Sequence, residues 1–233
     1  MLQADIIIPS YNSKKWIGIL LKKLIEQNGV RKIIVVDDNS PDKTAQYVEE
    51  NFGKNEKLKL IVRKGKDGRG SAVIRGFEEC LKDPQAKYII EMDSDLAHDP
   101  KEIPVFLNQC QKYDAVFGSR YLKKDSTKNY PVFRKIFSFL ANRWEFLILG
   151  INITDYTSGF RCYRREVLES IDFGKIQSKG FIVLSEIAYK IKKNGFKIGE
   201  IPITVVYHKG ESNFNLKEIF EAFFSVLRIR FNS

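Results

Sequence analysis

With 233 residues, 43% of them hydrophobic and 29% charged, the chain has the make-up of a soluble globular protein with one sizeable core. A net charge of +10 favours an anionic partner and leaves nucleic acid, a phosphorylated metabolite and an acidic membrane surface open. The scattered Cys80, Cys110 and Cys162 argue against a zinc site or disulfide framework and for a reducing compartment, the N-terminus lacks the make-up of a signal peptide, and no uninterrupted apolar stretch reaches 18 residues, which argues against a membrane span.

Short β-branched runs at 4–8, 31–37, 58–62, 87–92 and 114–118 read as strands. They lack polar alternation, as strands covered on both faces do. Between them, 16–27, 41–52, 70–81 and 100–111 carry helical patterns, two of them entered through Ser40-Pro41 and Asp99-Pro100. The alternation predicts an α/β chain with a mostly parallel, doubly wound sheet. Such a sheet binds ligands at the C-terminal ends of its strands. That rule puts "PSYN" (9–12), "DDNSPD" (37–42) and "DSD" (93–95) on one edge.

The second half predicts a long aromatic-rich helix at 133–150, a helix at 179–195, a strand over 196–207 and an amphipathic helix at 215–231. The first and last of these helices combine bulky apolar residues with Lys and Arg, as interfacial helices do, and both patterns equally suit a core. No linker or repeat divides the chain, so it is read as one domain.

Asp93 and Asp95 end a buried strand on the ligand edge. Two hard carboxylates there suit a divalent cation whose shell is completed by substrate phosphates; the alternative is a solvated turn with a helix cap. Asp37 and Asp38 stand where a carboxylate accepts hydrogen bonds from a ribose or base edge, and the same loop also has the residues of a turn and N-cap. "RKGKDGRGSAVIRGF" (63–77) brings glycines and Arg63, Lys64, Lys66 and Arg69 to a helix start, an arrangement suited to phosphates or to a solvated basic loop.

Taken together, "PSYN", "DDNSPDKT", "KDGRGSAVIRGF", "MDSDLAHDP", "GSRY", "DYTSGFRCYRREVL" and "EIPITVVYHKGESNFN" resemble, in this order, the family 2 glycosyltransferases, and most of all the dolichol-phosphate mannosyltransferase group, over roughly residues 4 to 220. The resemblance implies a Rossmann-like nucleotide-diphospho-sugar transferase fold, with residues 1–118 its nucleotide-sugar half and 119–233 its acceptor half. It implies donor binding by Pro9, Tyr11, Asn12, Asp37, Asp38, Arg69, Asp93 and Ser94. Asp93 and Asp95 would hold Mg²⁺ or Mn²⁺, and Arg120, Arg134, Ser138 and Lys209 would meet the acceptor phosphate, with Asp95, Arg120 and Arg134 the catalytic group. Three positions depart from the family pattern: Ser13 where Glu is common, Ala97 where a polar residue can complete the metal site, and Tyr207 to Asn213, where two expected cations are missing and His208 and Lys209 stand nearby.

The expected activity is inverting transfer of a hexose, in its leading form mannose from GDP-mannose to dolichol or polyprenol phosphate. A UDP-hexose donor such as UDP-glucose, or a saccharide acceptor, is the alternative. A lipid phosphate is largely ionised at pH 7 and needs no general base. A saccharide hydroxyl needs one, with Glu186 the candidate and Asp155 the second. The expected location is peripheral, on the cytoplasmic face of a membrane, docked directly or through an integral membrane partner. Nucleic acid is not expected as a partner. A non-enzymatic basic module that binds anions by charge is the rival from another class.

Overall fold

The apolar runs 4–10, 33–37 and 89–92 are buried on both faces, and successive residues along each serve opposite layers; the run 58–62, expected to be covered likewise, lies at the sheet edge and leaves Lys59 and Val62 exposed. The computed structural model describes residues 2–129, 131–178, 180–208 and 216–232, excluding the side chains of 134, 216–222 and 232. In chain order the first half contains β1 (Ala4–Ser10), α1 (Lys14–Glu26), β2 (Val30–Asp37), α2 (Thr44–Phe52), β3 (Leu58–Val62), α3 (Arg69–Leu81), β4 (Tyr88–Glu91), α4 (Ile103–Gln109) and β5 (Ala115–Ser119). The second half adds β6 (Thr127–Lys128), α5 (Val132–Leu149), β7 (Arg161–Arg164), α6 (Arg165–Glu169), α7 (Val183–Lys193), β8 (Ile198–Pro202), β9 (Val205–Val206) and α8 (Leu216–Asn232).

Seven strands form one sheet in the order β3-β2-β1-β4-β7-β5-β8. Only β7 among them is antiparallel to its neighbours, so the expected mostly parallel sheet is present. Ile6 and Ile8 of β1, with Ile33 and Val35 of β2, face the layer of α1, α2 and α4. Ile7, Ile34 and Val36 face the other layer, which includes α3, α6 and α7. Period-two side-chain alternation therefore needs apolar residues at every position here. Helix α3 lies so close on β1 that a Cβ on Gly76 would sit 2.4 Å from Ile7 Cγ2.

Four expected boundaries move. The helix expected at 41–52 begins at Thr44, because Asp42 accepts hydrogen bonds from the Thr44 N–H and hydroxyl and holds 41–43 in a turn. A 3₁₀ turn at Pro100–Glu102 precedes α4, and another at Gly180–Ile182 precedes α7. The strand expected over 196–207 is two strands. Ile198–Pro202 joins β5, and beyond Pro202 the chain leaves the sheet to pair Val205–Val206 with β6. Strand β7 was not expected. Its Arg161 is fully buried, donating to the carbonyls of Ser158 (2.9 Å), Leu184 (2.7 Å) and Tyr156 (2.5 Å) while its guanidinium lies 4.1 Å from the Phe117 ring centroid.

Glu145 of α5 is buried and accepts a hydrogen bond from the Ser185 hydroxyl. Burial pushes its carboxyl up to about 7, against the opposing pull of Ser185 and Arg161. The folded protein thus keeps a proton that the unfolded chain releases from about pH 4 upward. Stability falls as pH rises through that window and levels off above about 7. Glu145→Gln is expected to match wild type near pH 4.5 and to be more stable by about 1–3 kcal/mol near pH 8, read as urea midpoints at the two pH values.

Candidate active site

Strands β1, β2 and β4 run parallel and deliver their following loops to one edge. The loops are stitched to each other before any ligand is considered. The Asn12 N–H donates to Ser40 Oγ (3.0 Å), the Ser13 N–H to Thr44 Oγ1 (3.0 Å) and the Lys14 N–H to Asp42 Oδ2 (3.0 Å). Ser13 Oγ meets Ser94 Oγ at 2.6 Å, tying the first loop to the "DSD" turn. Asn12, Asn39 and Leu96 adopt positive φ of 56°, 53° and 60°. Asparagine tolerates that conformation; a leucine there is strained, and it directly follows Asp95.

The second loop's two acids have different surroundings. Asp37 is fully buried, and both its oxygens accept from Ser40, one from the N–H (2.8 Å) and one from the hydroxyl (2.6 Å). Asp38 receives Arg63 Nε at 2.5 Å and the Gly68 N–H at 3.3 Å. Arg63 also reaches Ser71 Oγ at 2.5 Å, so Asp38 organises the basic glycine-containing loop through Arg63. Pro9 is buried in β1, while Tyr11 is exposed with Lys66 Nζ 4.3 Å from its ring centroid. Of the expected donor-side residues, Tyr11, Asn12, Asp38, Arg69, Asp93 and Ser94 gather on this edge; Pro9 and Asp37 lie beneath it.

Asp93 has a cation beside it, and that cation is Arg69. Nε of Arg69 donates to Asp93 Oδ1 at 2.8 Å, its Nη atoms stand 3.4 Å from Glu91 Oε2, and Nη2 is 3.5 Å from the Gly159 carbonyl. Burial pushes the Asp93 carboxyl up, but the charges of Arg69, His98 and Arg120 outweigh it and hold the group below its ordinary value. Glu91 is fully buried and takes the Tyr163 hydroxyl at 2.6 Å; burial raises its carboxyl despite Arg69 and Arg161. Asp95 accepts the Ala97 N–H at 3.0 Å.

No group of three or more His, Cys, Asp or Glu side chains among the described residues is arranged to hold a metal. Two hard carboxylates at a strand end still fit a divalent ion that takes its remaining ligands from phosphate and water. Hard oxygen donors suit Mg²⁺ and Mn²⁺. Glu91, Gly159 and Phe181 were missed as part of this edge. Gly159 is the tightest: a Cβ there would lie 2.2 Å from Arg69 Nη2 and 2.9 Å from both Asp93 oxygens. Its place in "TSGFR" was the available signal.

On the other side of the edge Arg120 holds Asp155 in a two-point pair, Nε to Oδ2 and Nη2 to Oδ1, each 2.7 Å. The Arg120 N–H adds a third bond (3.1 Å), and Nη2 also reaches Thr157 Oγ1 (2.5 Å) and Ser138 Oγ (3.4 Å). Burial raises the Asp155 carboxyl, but Arg120 more than compensates and keeps it low. Ser138 Oγ meets the Tyr121 hydroxyl at 2.8 Å. Arg134 lies one helical turn before Ser138 on α5, its side chain outside the described residues, as is Lys209. Glu186 accepts the backbone N–H groups of Ser178 (2.9 Å) and Gln177 (3.3 Å), so it caps the turn before α7. Both carboxylates proposed as bases are thus engaged in structural bonds.

Beside Ser138, helix α5 turns Val132, Phe133, Ile136, Phe139, Leu140 and Leu147 outward, each more than half exposed. These residues are therefore not core, although Trp144, Ile148 and Leu149 of the same helix pack against it; α8 buries Val226 and Ile229 and exposes Phe224 and Phe231. No helix among the described residues is long and apolar enough to cross a membrane.

A family model described as glycosyl transferase family 2 matches residues 5–172. The chain is 33% identical over 223 residues to the undecaprenyl-phosphate mannosyltransferase of Micrococcus luteus, covering 95% of this chain and 91% of that one. It is 34% identical over 224 residues to the polyprenol monophosphomannose synthase of Mycolicibacterium smegmatis, covering 95% and 84%. Among solved structures, the glucosyl-3-phosphoglycerate synthase of Mycobacterium tuberculosis in complex with Mn²⁺, UDP-glucose and phosphoglyceric acid has the same fold, with a TM-score of 0.69 at 16% identity over 98% of this chain and 78% of that one. The expected nucleotide-diphospho-sugar transferase fold is therefore present.

Removing one partner of the Arg120–Asp155 pair strands a buried charge. Arg120→Ala is expected to lower unfolding free energy by about 3–5 kcal/mol in urea titrations. Arg120→Met combined with Asp155→Leu should recover most of that loss, because no buried charge then lacks a partner.

Proposed function

The chain belongs to glycosyl transferase family 2 and is a glycosyltransferase, and we propose that it moves mannose from GDP-mannose to a dolichol or polyprenol phosphate with inversion at the anomeric carbon. The names of the two bacterial relatives support the sugar and the acceptor class. The observation that carries the reading is spatial. Arg120, whose charge acts on Asp93, reaches Ser138 of α5, so the carboxylate turn at Asp93 and Asp95, the arginine–serine group and the exposed apolar face of α5 follow one another. That sequence of surfaces suits a diphosphate, a phosphate and a lipid chain. Family membership sets aside the expectation of a non-enzymatic anion-binding module.

Asp93 and Asp95 are the residues that would hold Mg²⁺ or Mn²⁺, whose charge stabilises the departing nucleoside diphosphate. Tyr11, Asn12, Asp38 and Ser94 bind the donor, with Pro9 and Asp37 fixing the loops that carry them. Arg120 and Ser138 position the acceptor phosphate, joined by Arg134 and Lys209. An arginine fork matches phosphate better than a lysine does. A phosphate monoester has a second pKa near 6, so its attacking oxygen is mostly ionised at neutral pH. No protein base is required, in keeping with Asp155 paired to Arg120 and Glu186 bound to two backbone amides. The apolar face of α5, flanked by Lys135 and Arg143, rests on the cytoplasmic surface of the membrane that holds the lipid, directly or beside an integral partner.

The test supplies labelled GDP-mannose or UDP-glucose with undecaprenyl phosphate in detergent micelles, with Mn²⁺ or EDTA. Label is expected in the lipid fraction from GDP-mannose with metal only. Asp95→Asn is expected to lower kcat/KM by about 100-fold or more, equivalent to ~2.7 kcal/mol. Transfer from UDP-glucose instead would move the donor to a UDP-hexose, and no lipid label from either donor with metal present would sink the reading.

A further inference from the structure

We infer that Arg69 is an exchangeable counter-ion. It occupies Asp93 in the unloaded enzyme and passes to the donor's diphosphate on loading, so that divalent metal enters well only together with nucleotide. The inference rests on reading Asp93 and Asp95 as the metal ligands.

Three acids, Glu91, Asp93 and Asp95, stand within five residues at the end of β4, two of them next to one arginine. The shorter contact of Arg69 is to Asp93 at 2.8 Å; its contacts to Glu91 and Gly159 are 3.4–3.5 Å. A cation seated on a carboxylate opposes the approach of a second cation, and salt screens a partly buried pair poorly. Arg69 therefore competes with a metal ion for the same ligand.

The guanidinium is placed to leave. Its side chain is 11% exposed, so it is not sealed from solvent. It is the first residue of α3, and the Gly68 before it, at φ +91°, provides no side-chain cap. One face lies 5.2 Å from the ring centroid of Phe181, itself more than half exposed on the acceptor half. A diphosphate offers a two-point acceptor that fits a guanidinium fork. Moving Arg69 onto it frees Asp93 for metal and places two cations on one polyanion. Metal and nucleotide then favour each other, and the coupling is reciprocal.

The experiment titrates Mn²⁺ into the full chain by EPR, with and without GDP, for wild type, Arg69→Gln, Arg69→Met and Asp93→Asn. Wild type is expected to bind Mn²⁺ at least about tenfold more tightly with GDP present. Both Arg69 variants are expected to bind Mn²⁺ alone at least about tenfold more tightly than wild type and to lose most of the GDP effect, since an adjacent cation shifts a carboxylate by about 1–3 pKa units. Arg69→Met keeps the packing against Phe181, so a folding defect confined to the glutamine variant leaves the comparison intact. A merely structural arginine would weaken metal binding when replaced. If the variants bind Mn²⁺ no more tightly than wild type, or keep the full GDP effect, the exchange is wrong while the metal site stands. If Asp93→Asn binds Mn²⁺ as wild type does, the ligand assignment itself fails and the inference goes with it.

Discussion

Three carboxylates near the strand-end edge, Asp38, Asp93 and Asp155, are each held by an arginine: Arg63, Arg69 and Arg120. A parallel sheet gathers its C-terminal loops into one place, and acids gathered there repel unless cations come with them. Each arginine either leaves the end of a strand or starts the next helix, so the chain brings cation and acid to the edge together. Taking such charges out of water is unfavourable, and the pairs persist because geometry and extra hydrogen bonds offset the desolvation. In return the loops have fixed shapes: Arg63 shapes 63–71, and Asp155 anchors 154–157 to β5 through the Arg120 side chain and N–H.

Much of this was legible in the sequence, for physical reasons that also explain the gaps. Runs such as Ile33 to Val36 read correctly because strands buried on both faces need an apolar residue at every position. The "DSD" turn read correctly because a strand end fixes where its loop goes. Strand β7 did not, since Arg161 and Arg164 look like surface residues; beside the nearby carbonyls of Ser158 and Tyr156, Arg161 is satisfied by the Leu184 carbonyl and the Phe117 ring, which come from distant parts of the chain. Arg69 was readable as a phosphate-seeking cation, but not as the partner of Asp93, because nothing local links residues 24 positions apart. The same holds for Arg120 and Asp155, separated by 35 residues.

The basic composition also has a structural reading. A net charge of +10 suggests a surface that attracts anions, yet several of the arginines are spent internally on acids or carbonyls. The cations beside α5 are of another kind. They accompany an apolar face that is exposed among the described residues, and a contiguous exposed apolar face rimmed by charge marks an interaction surface. Composition points to an anionic partner; the exposure of Ile136, Phe139 and Leu140 sets an apolar surface beside those cations.

The two engaged acids bear on which nucleophile this edge can serve. For Asp155 to take a proton from a hydroxyl it would have to rise from a value held low by Arg120 while losing a two-point pair and a backbone bond. For Glu186 it would have to release the amides of Gln177 and Ser178. An acceptor that arrives already ionised avoids both costs and gains from the arginine that Asp155 holds in place. A lipid phosphate meets that condition at neutral pH and a sugar hydroxyl does not. The arrangement of charges thus favours the phosphate acceptor on grounds independent of any relative's name.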